Sequence, residues 1–319
     1  MKKTLAIALS SFHELIRQPF WLILGSGGVV FMLVLAHSNY FALGEESRQV
    51  KQSVLAFMLV AGLIAAVLGA SFLVAREVRS GTALVVLSKP VGRLPFLLGK
   101  YTGLMTALAL QGFLHLLVAL LAGRMAREAT GNPDWLAITV TLGAVVAGLG
   151  LAAASSFFLH RSFVGDAVLT TVASVGVAFA VVNAFDSSGS PQPWGSRLDS
   201  GLVTAGVLIF AALGVLAALA LALSTRLSMV PTLLLCGGFL ALGLLSDYLF
   251  ASSSASRSTL ADLLHDLLPN WQVFWVADSI GSPRPLSWGY VARAAAYGVL
   301  HIATALCLAW FLFAHRELD

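Results

Sequence analysis

Charged residues are scarce in this sequence. They make up 11% of its 319 residues, less than half of the roughly 25% found in soluble domains. A soluble fold of this size would have too few charged side chains to cover its surface, and 58% of the residues are hydrophobic, with a mean hydropathy of +0.89. The composition excludes a soluble enzyme, a secreted disulfide scaffold and a disordered regulator, and indicates an integral membrane protein.

Residues that carry chemistry are also few. The two cysteines, Cys236 and Cys307, each lie inside an apolar run and form neither a disulfide framework nor a metal-binding spacing. The seven histidines show no metal spacing, and no Ser/His/Asp or paired-carboxylate arrangement is present. We therefore expect no catalytic residue, metal or cofactor, and the net charge of +4 requires no nucleic-acid partner.

A phosphate-binding loop is missing as well. Such a loop reads G-x-x-x-x-G-K-[ST], because its glycines let backbone N–H groups surround the phosphates. The only Gly-Lys pair is Gly99-Lys100, which is followed by Tyr101 and has Leu94 at the position of the first glycine. If ATP drives this protein, it must be hydrolysed by another chain.

Long apolar runs are what the sequence does contain. A helix of about 20 residues crosses the hydrocarbon core, and a closed β-barrel would instead show ten-residue alternation. The sequence predicts an all-α polytopic membrane protein with about eight spanning helices, within a range of six to eight. The candidate spans are 19–36, 52–75, 101–123, 135–159, 167–185, 201–223, 228–246 and 294–314.

The basic residues predict an orientation. With eight spans both termini lie on one side, and that side holds 11 of the 19 Lys and Arg residues but 5 of the 15 Asp and Glu residues. The positive-inside rule then places both termini in the cytoplasm of a cell that carries the protein in its cytoplasmic (inner) membrane. Residues 19–319 form one transmembrane domain.

Residues 1–18 predict an amphipathic elbow helix on the cytoplasmic surface. Leu5, Ala8, Leu9, Phe12 and Ile16 form one apolar stripe at helical spacing. A signal anchor is the alternative, but His13, Glu14 and Arg17 interrupt the apolar run and no cleavage site precedes the first span.

Polar residues are rare inside the spans, where charge is costly. Gln111 and His115 lie one turn apart near the middle of the third span. They predict either an interhelical hydrogen-bonding pair or a contact with a transported substrate. Every carboxylate lies at a span end or in a loop, whereas proton- or sodium-coupled secondary transporters place carboxylates near the midplane.

Small residues recur at helix-packing spacing, which lets two backbones approach closely. Gly62, Ala66 and Ala70 form one such row, and Gly99 and Gly103 form another. Either row could serve a dimer interface or packing within one subunit. Residues 251–289 combine helical leucines with Trp271, Trp275 and Trp288, and predict an extracytoplasmic interfacial segment; a plain external loop is the alternative.

The long cytoplasmic connection 76–97 is the most specific part of the sequence. It starts with charged residues at the end of a span, continues through a short apolar run and is bounded by breakers. Taken alone, it predicts either an ordinary basic loop or a surface for a soluble partner. Its distinctive residues are Arg76, Glu77, Arg79, Gly81, Thr82, Ser88, Lys89, Pro90 and Arg93.

The pattern Glu77-x-x-x-Gly81-Thr82, then Leu87-Ser88-Lys89-Pro90-Val91-x-Arg93, closely resembles the loop after the second span of ABC exporter permeases. It is most similar to the permease family associated with multicopper-enzyme maturation. The elbow ending in Arg17-Gln18-Pro19, Leu268-Pro269-Asn270 before the last span, and the ending Phe313-Ala314-His315-Arg316 also fit. Such permeases usually have six spans, so the middle of the chain, roughly 135–225, is least supported.

The resemblance implies a permease subunit that pairs with a separate cytoplasmic ATPase and forms a homodimer or heterodimer in the lipid bilayer. The nine residues of 76–97 named above would contact that ATPase as a coupling loop. Two other classes remain open: a secondary transporter or channel, and a non-transport membrane scaffold that assembles another enzyme. The transported substrate is not predicted.

Overall fold

The computed structural model describes residues 2–38, 45–76, 92–128, 134–245, 269–277, 280 and 286–315, without the side chains of 126–128. Within these ranges the chain is helical and contains no β-strand. Backbone groups in lipid must be hydrogen-bonded within their own segment, which a helix achieves. The predicted all-α class is confirmed. The helices, numbered in chain order, are α1 (Lys2–Ile16), α2 (Pro19–His37), α3 (Glu46–Ala75), α4 (Arg93–Glu128), α5 (Trp135–Leu159), α6 (Phe163–Ala184), α7 (Ser200–Ser224), α8 (Met229–Leu244) and α9 (Trp288–Ala314).

Seven of these helices, α2–α7 and α9, are long and apolar enough to cross a membrane. The chain is a multi-pass membrane protein, and the seven such helices among its described residues fall within the predicted range of six to eight. Helix α8 corresponds to the predicted span 228–246 but has only 16 residues. At 1.5 Å per residue it is about 24 Å long, which is shorter than the ~30 Å hydrocarbon core.

Contacts between helix ends show that successive helices run in alternating directions. At one end, Arg93 at the start of α4 reaches the last carbonyl groups of α9, and we call this the Arg93 end. At the other end, Asp134 before α5 contacts Arg124 near the end of α4, and we call this the Asp134 end. Helix α8 begins at the Arg93 end, because Arg226 before it reaches Leu312.

Helices α3, α4 and α7 form the centre of the bundle. Their most apolar windows are 72%, 67% and 72% buried. Helix α9 packs along α7, and α8 contacts both α3 and α7. Helices α5 and α6 form an antiparallel hairpin joined by the hydroxyls of Thr170 and Ser174, which donate to carbonyls of α5 at 2.7 Å. This hairpin attaches to the centre mainly through the packing of α6 on α4.

Helix α1 lies at the Arg93 end against the first half of α4, and its placement on the cytoplasmic surface stays a prediction. Ala8, Ser11, Leu15 and Ile16 are buried, while Leu5 and Leu9 of the predicted stripe are exposed. The side that packs on the protein therefore combines Leu15 and Ile16 with the small residues Ala8 and Ser11, which allow close packing. Leu5 and Leu9, two larger residues of the predicted stripe, remain outside this contact.

Both rows of small residues pack within the chain. A Cβ atom on Gly103 would lie 2.6 Å from the Ala8 carbonyl oxygen, and one on Gly99 would lie 2.7 Å from a methyl of Ile7. Gly99 and Gly103 therefore form the surface of α4 on which α1 packs. Gly62 in the other row receives Leu213 of α7, since a Cβ there would lie 2.4 Å from that side chain.

The described part of the predicted interfacial segment, residues 269–277, packs at the Asp134 end against α8 and α9. Trp271 is only 1% exposed. Its indole N–H donates to the Phe239 carbonyl at 3.2 Å, and its ring lies where a side chain on Gly243 would stand. Trp271 is therefore a packing residue and not an interfacial anchor, whereas Trp288 is 61% exposed.

Candidate functional site

The coupling residues predicted from the sequence lie between the ends of α3 and α4. Arg76 and Arg93 belong to the described residues. The other predicted residues, Glu77, Arg79, Gly81, Thr82, Ser88, Lys89 and Pro90, lie outside them. Their role as an ATPase contact stays a prediction.

Arg76 is exposed at the Arg93 end, directly after α3. Its guanidinium lies over the Phe72 ring, 4.9 Å from the centroid. A cation over an aromatic face at an exposed site contributes about 0.5–1 kcal/mol. The charge therefore remains accessible at the end of a central helix.

Arg93 has a contact that the sequence did not predict. Its guanidinium donates to the carbonyl oxygens of Phe313 and Ala314, the last residues of α9. The carbonyl groups at a helix C-terminus lack intrahelical partners and carry partial negative charge, so a cation stabilises them. Arg93 thereby joins the start of α4 to the end of α9.

A second arginine binds the same helix end. Arg226, in the turn between α7 and α8, donates from Nε and Nη2 to the Leu312 carbonyl oxygen at 3.1 and 2.8 Å. Phe96 stacks on Phe313 beneath these contacts, with centroids 5.7 Å apart. The Arg93 end is thus tied together across α4, α7 and α9 by side chain–backbone hydrogen bonds.

His115 of α4 makes the interhelical contact that its position suggested. Its Nε2 lies 3.1 Å from the Leu24 carbonyl oxygen of α2. Leu24 belongs to a π-helical turn, Ile23–Gly27, in which the ordinary i to i+4 hydrogen bonding is interrupted. A Cβ atom on Gly28 would lie 2.6 Å from Nε2, so the ring requires a glycine at that position.

Gln111 differs from His115. It is 6% exposed, and neither its amide nitrogen nor its amide oxygen has a hydrogen-bond partner within the protein. It lines a small cavity between α2, α4 and α6 together with Trp21 and Thr171. The two residues predicted as a pair therefore face different surroundings: His115 bonds to a helix backbone, and Gln111 points into a cavity.

One buried and one partly buried ion pair at the Asp134 end were not predicted as pairs. Arg124 Nε lies 2.7 Å from Asp134 Oδ2, with side chains 2% and 0% exposed. Lys51 Nζ lies 2.7 Å from Asp199 Oδ2, with side chains 8% and 20% exposed. Each aspartate also caps a helix, since its other oxygen accepts from Ala137 N or Gly201 N. These four charged side chains therefore stabilise the fold at this end.

The described residues hold no group of three or more His, Cys, Asp or Glu side chains that could bind a metal ion. Hydrogen bonds from the Ser188 hydroxyl and the Ser190 amide lower the pKa of Asp186, which is partly exposed in the connection between α6 and α7. This aspartate organises its own turn.

Comparison of the chain with protein-family models and with curated protein sequences finds no match. The likeness to ABC exporter permeases therefore rests on the sequence pattern around 76–100.

Proposed function

We propose that this chain is the membrane-spanning permease subunit of an ATP-binding cassette exporter in a bacterial cytoplasmic membrane. It pairs with another permease chain, identical or related, and takes energy from a separate cytoplasmic ATPase. The observation that carries the proposal is the pattern of residues 77–93, placed between α3 and α4. The substrate is left open.

The attachment points of this segment support the proposal. Arg76 directly follows α3 and Arg93 begins α4, two of the three central helices, so a force applied between these residues acts directly on the core of the bundle. Helix α4 also has α1 packed on Gly99 and Gly103 and α9 attached through Arg93. In the proposed mechanism, closure of the ATPases displaces 76–97, and α4 carries α1 and α9 with it.

Coupled secondary transport, the main alternative, gains no support from the described spans. Among the described residues of the spanning helices, Glu46 is the first residue of α3 and Glu128 is the last residue of α4. Asp166 is the one other carboxylate in these described helices. It lies in the first turn of α6 at the Arg93 end, bonded to Ser155 and 3.3 Å from Arg161. A carboxylate there stabilises a helix N-terminus, whereas proton and sodium carriers use carboxylates near the middle of the membrane.

We expect an ATP-hydrolysing subunit to co-purify with the tagged chain from cells that naturally carry its gene. Glu77→Lys and Gly81→Val should each reduce the co-purified ATP hydrolysis several-fold. The first removes a carboxylate available for a charge-assisted hydrogen bond, and the second places a β-branched residue where the pattern has glycine. Hydrolysis per mole of purified permease is the measurement.

Glu45→Lys is the matched control, because Glu45 is exposed at the opposite, Asp134 end. It should leave the co-purified hydrolysis unchanged. The heat stability of each purified variant separates loss of the partner from loss of the fold. Full ATPase association in both coupling variants would refute the coupling assignment.

A further inference from the structure

Unpartnered polar atoms are concentrated at one place inside the bundle. In the described part of the chain, six buried side-chain atoms have no hydrogen-bond partner within the protein. Four of them belong to three residues around one cavity: Trp21 Nε1, Gln111 Nε2 and Oε1, and Thr171 Oγ1. Leaving a buried donor or acceptor unpaired costs about 1–3 kcal/mol. Such a cluster requires an explanation.

The cavity lies between α2, α4 and α6. Its volume is ≈ 10 Å³, close to the lower limit for the space in which the centre of one water molecule can move. Trp21, Gln111 and Thr171 are 2%, 6% and 1% exposed. Leu110, Val168 and Val172 complete the apolar part of the lining. No charged side chain lines it, so the site suits a small neutral molecule.

We propose that this cavity is a binding site for one ordered water molecule, which bridges Gln111, Thr171 and Trp21. A buried water typically makes about three hydrogen bonds. The indole N–H is a donor only, whereas the hydroxyl and the amide each donate and accept. Water can accept from Trp21 and exchange bonds of either direction with Thr171 and Gln111, which satisfies one atom on each of the three helices.

A cation does not fit this set of ligands. Sodium or magnesium would need several oxygen ligands and, for magnesium, carboxylates, whereas the indole N–H would direct its positive end at the ion. A larger solute does not fit the volume. The lining groups and the size therefore both select water.

The site has a structural consequence that does not depend on the proposed exporter function. It lies one helical turn along α4 from the His115–Leu24 contact, and Gly25 and Ser26 of the π-helical turn also line it. Beside the direct apolar packing of α2, α4 and α6 near the middle of α4, the polar contacts there are then made by an exchangeable water and one histidine. Such hydrogen bonds break and re-form without a permanently unpaired group.

The sign of one stability change tests the proposal. With bound water, Gln111→Leu removes an anchor of the water and should lower the unfolding midpoint by about 1–2 °C, the shift that ~1 kcal/mol produces in a chain of 319 residues at an unfolding entropy of ~2.1 cal/mol/K per residue. In a dry cavity the same substitution removes two unpartnered polar atoms, and the midpoint should rise. A rise would overturn the proposal.

A double-mutant cycle supplies the second measurement. Thr171→Val should also lower the midpoint, and the double variant should lose less than the sum of the two, because both single changes disrupt the same bridge. Thr141→Val is the control: that hydroxyl is equally buried but bonds Ala137 O of its own helix, so its effect should add to that of Gln111→Leu. Strict additivity of Gln111→Leu and Thr171→Val, or a shift that depends on replacing sodium with choline, would contradict bound water.

Discussion

Replacing Arg124 with methionine is expected to lower the free energy of unfolding by about 3–5 kcal/mol, the range measured when one partner of a buried ion pair is removed. Arg124 donates to Asp134 and also to the carbonyl oxygens of Val182 and Phe185. One guanidinium therefore connects the end of α4, the start of α5 and the end of α6. Its loss leaves a buried carboxylate and two carbonyl groups without their cation. Heat-induced unfolding of the purified protein measures the loss of stability.

A second substitution separates charge from packing. Adding Asp134→Asn to Arg124→Met removes the stranded charge and keeps a side-chain oxygen that can accept from Ala137 N. We expect this double variant to recover part of the lost stability, since replacing both members of a buried pair costs far less than breaking it.

Arg161→Met is the matched control for Arg124→Met. Arg161 is 61% exposed and lies 3.3 Å from Asp166, so its loss should cost at most about 1 kcal/mol. Equal effects of the two arginine substitutions would show that the Arg124 contact contributes little.

The second large effect is expected where α1 packs on α4. Gly103→Leu should displace α1 from α4, because a Cβ atom at 103 already falls 2.6 Å from the Ala8 carbonyl oxygen and from Ser11 Cβ. Neither atom belongs to a flexible side-chain end that can turn away. Overpacking of this kind costs about 1–3 kcal/mol, and here α1 can relieve it by moving away from the bundle.

A cysteine at Ser11 reports this movement. Ser11 is 0% exposed, so in a background without Cys236 and Cys307 its thiol should react slowly with maleimide, and Gly103→Leu should speed the reaction at least tenfold. Gly112→Ala is the control on the same helix, where the nearest atom to a new Cβ is 3.7 Å away. It should leave the rate of the maleimide reaction unchanged. An unchanged rate in Gly103→Leu as well would contradict the close packing of α1 on α4.

The spans were predictable because hydropathy acts over whole segments, but their ends were not. Lys100 and Arg124 were expected near the limits of the third span, yet α4 runs through both, from Arg93 to Glu128. Lys100 lies over the Phe96 ring and Arg124 is paired with Asp134. Contacts of this kind reduce the free-energy cost of placing a charge inside an apolar helix. That cost was the reason for predicting that the span ends at each charged residue.

Partners far apart in the sequence were beyond prediction from periodicity. Lys51 and Asp199 are 148 positions apart, and the sequence shows only that each lies next to a predicted span. The spacing of Gly99 and Gly103 indicated a close helix contact but carried no information on its partner, which is α1. Gln111 and His115 were found because polar residues are rare inside spans, although the cavity beside Gln111 depends on α2 and α6.

The central proposal, that a separate ATPase binds the segment between α3 and α4 from the cytoplasm, is tested most directly by cross-linking from position 88. A photoreactive residue at Ser88 should capture an ATP-binding subunit in whole cells, and one at Ser190, exposed at the Asp134 end, should not. A cysteine at Ser88 should react with a membrane-impermeant thiol reagent only after the cells are lysed. Labelling of that cysteine in intact cells, or the absence of an ATP-binding cross-linked product, would contradict the proposed coupling.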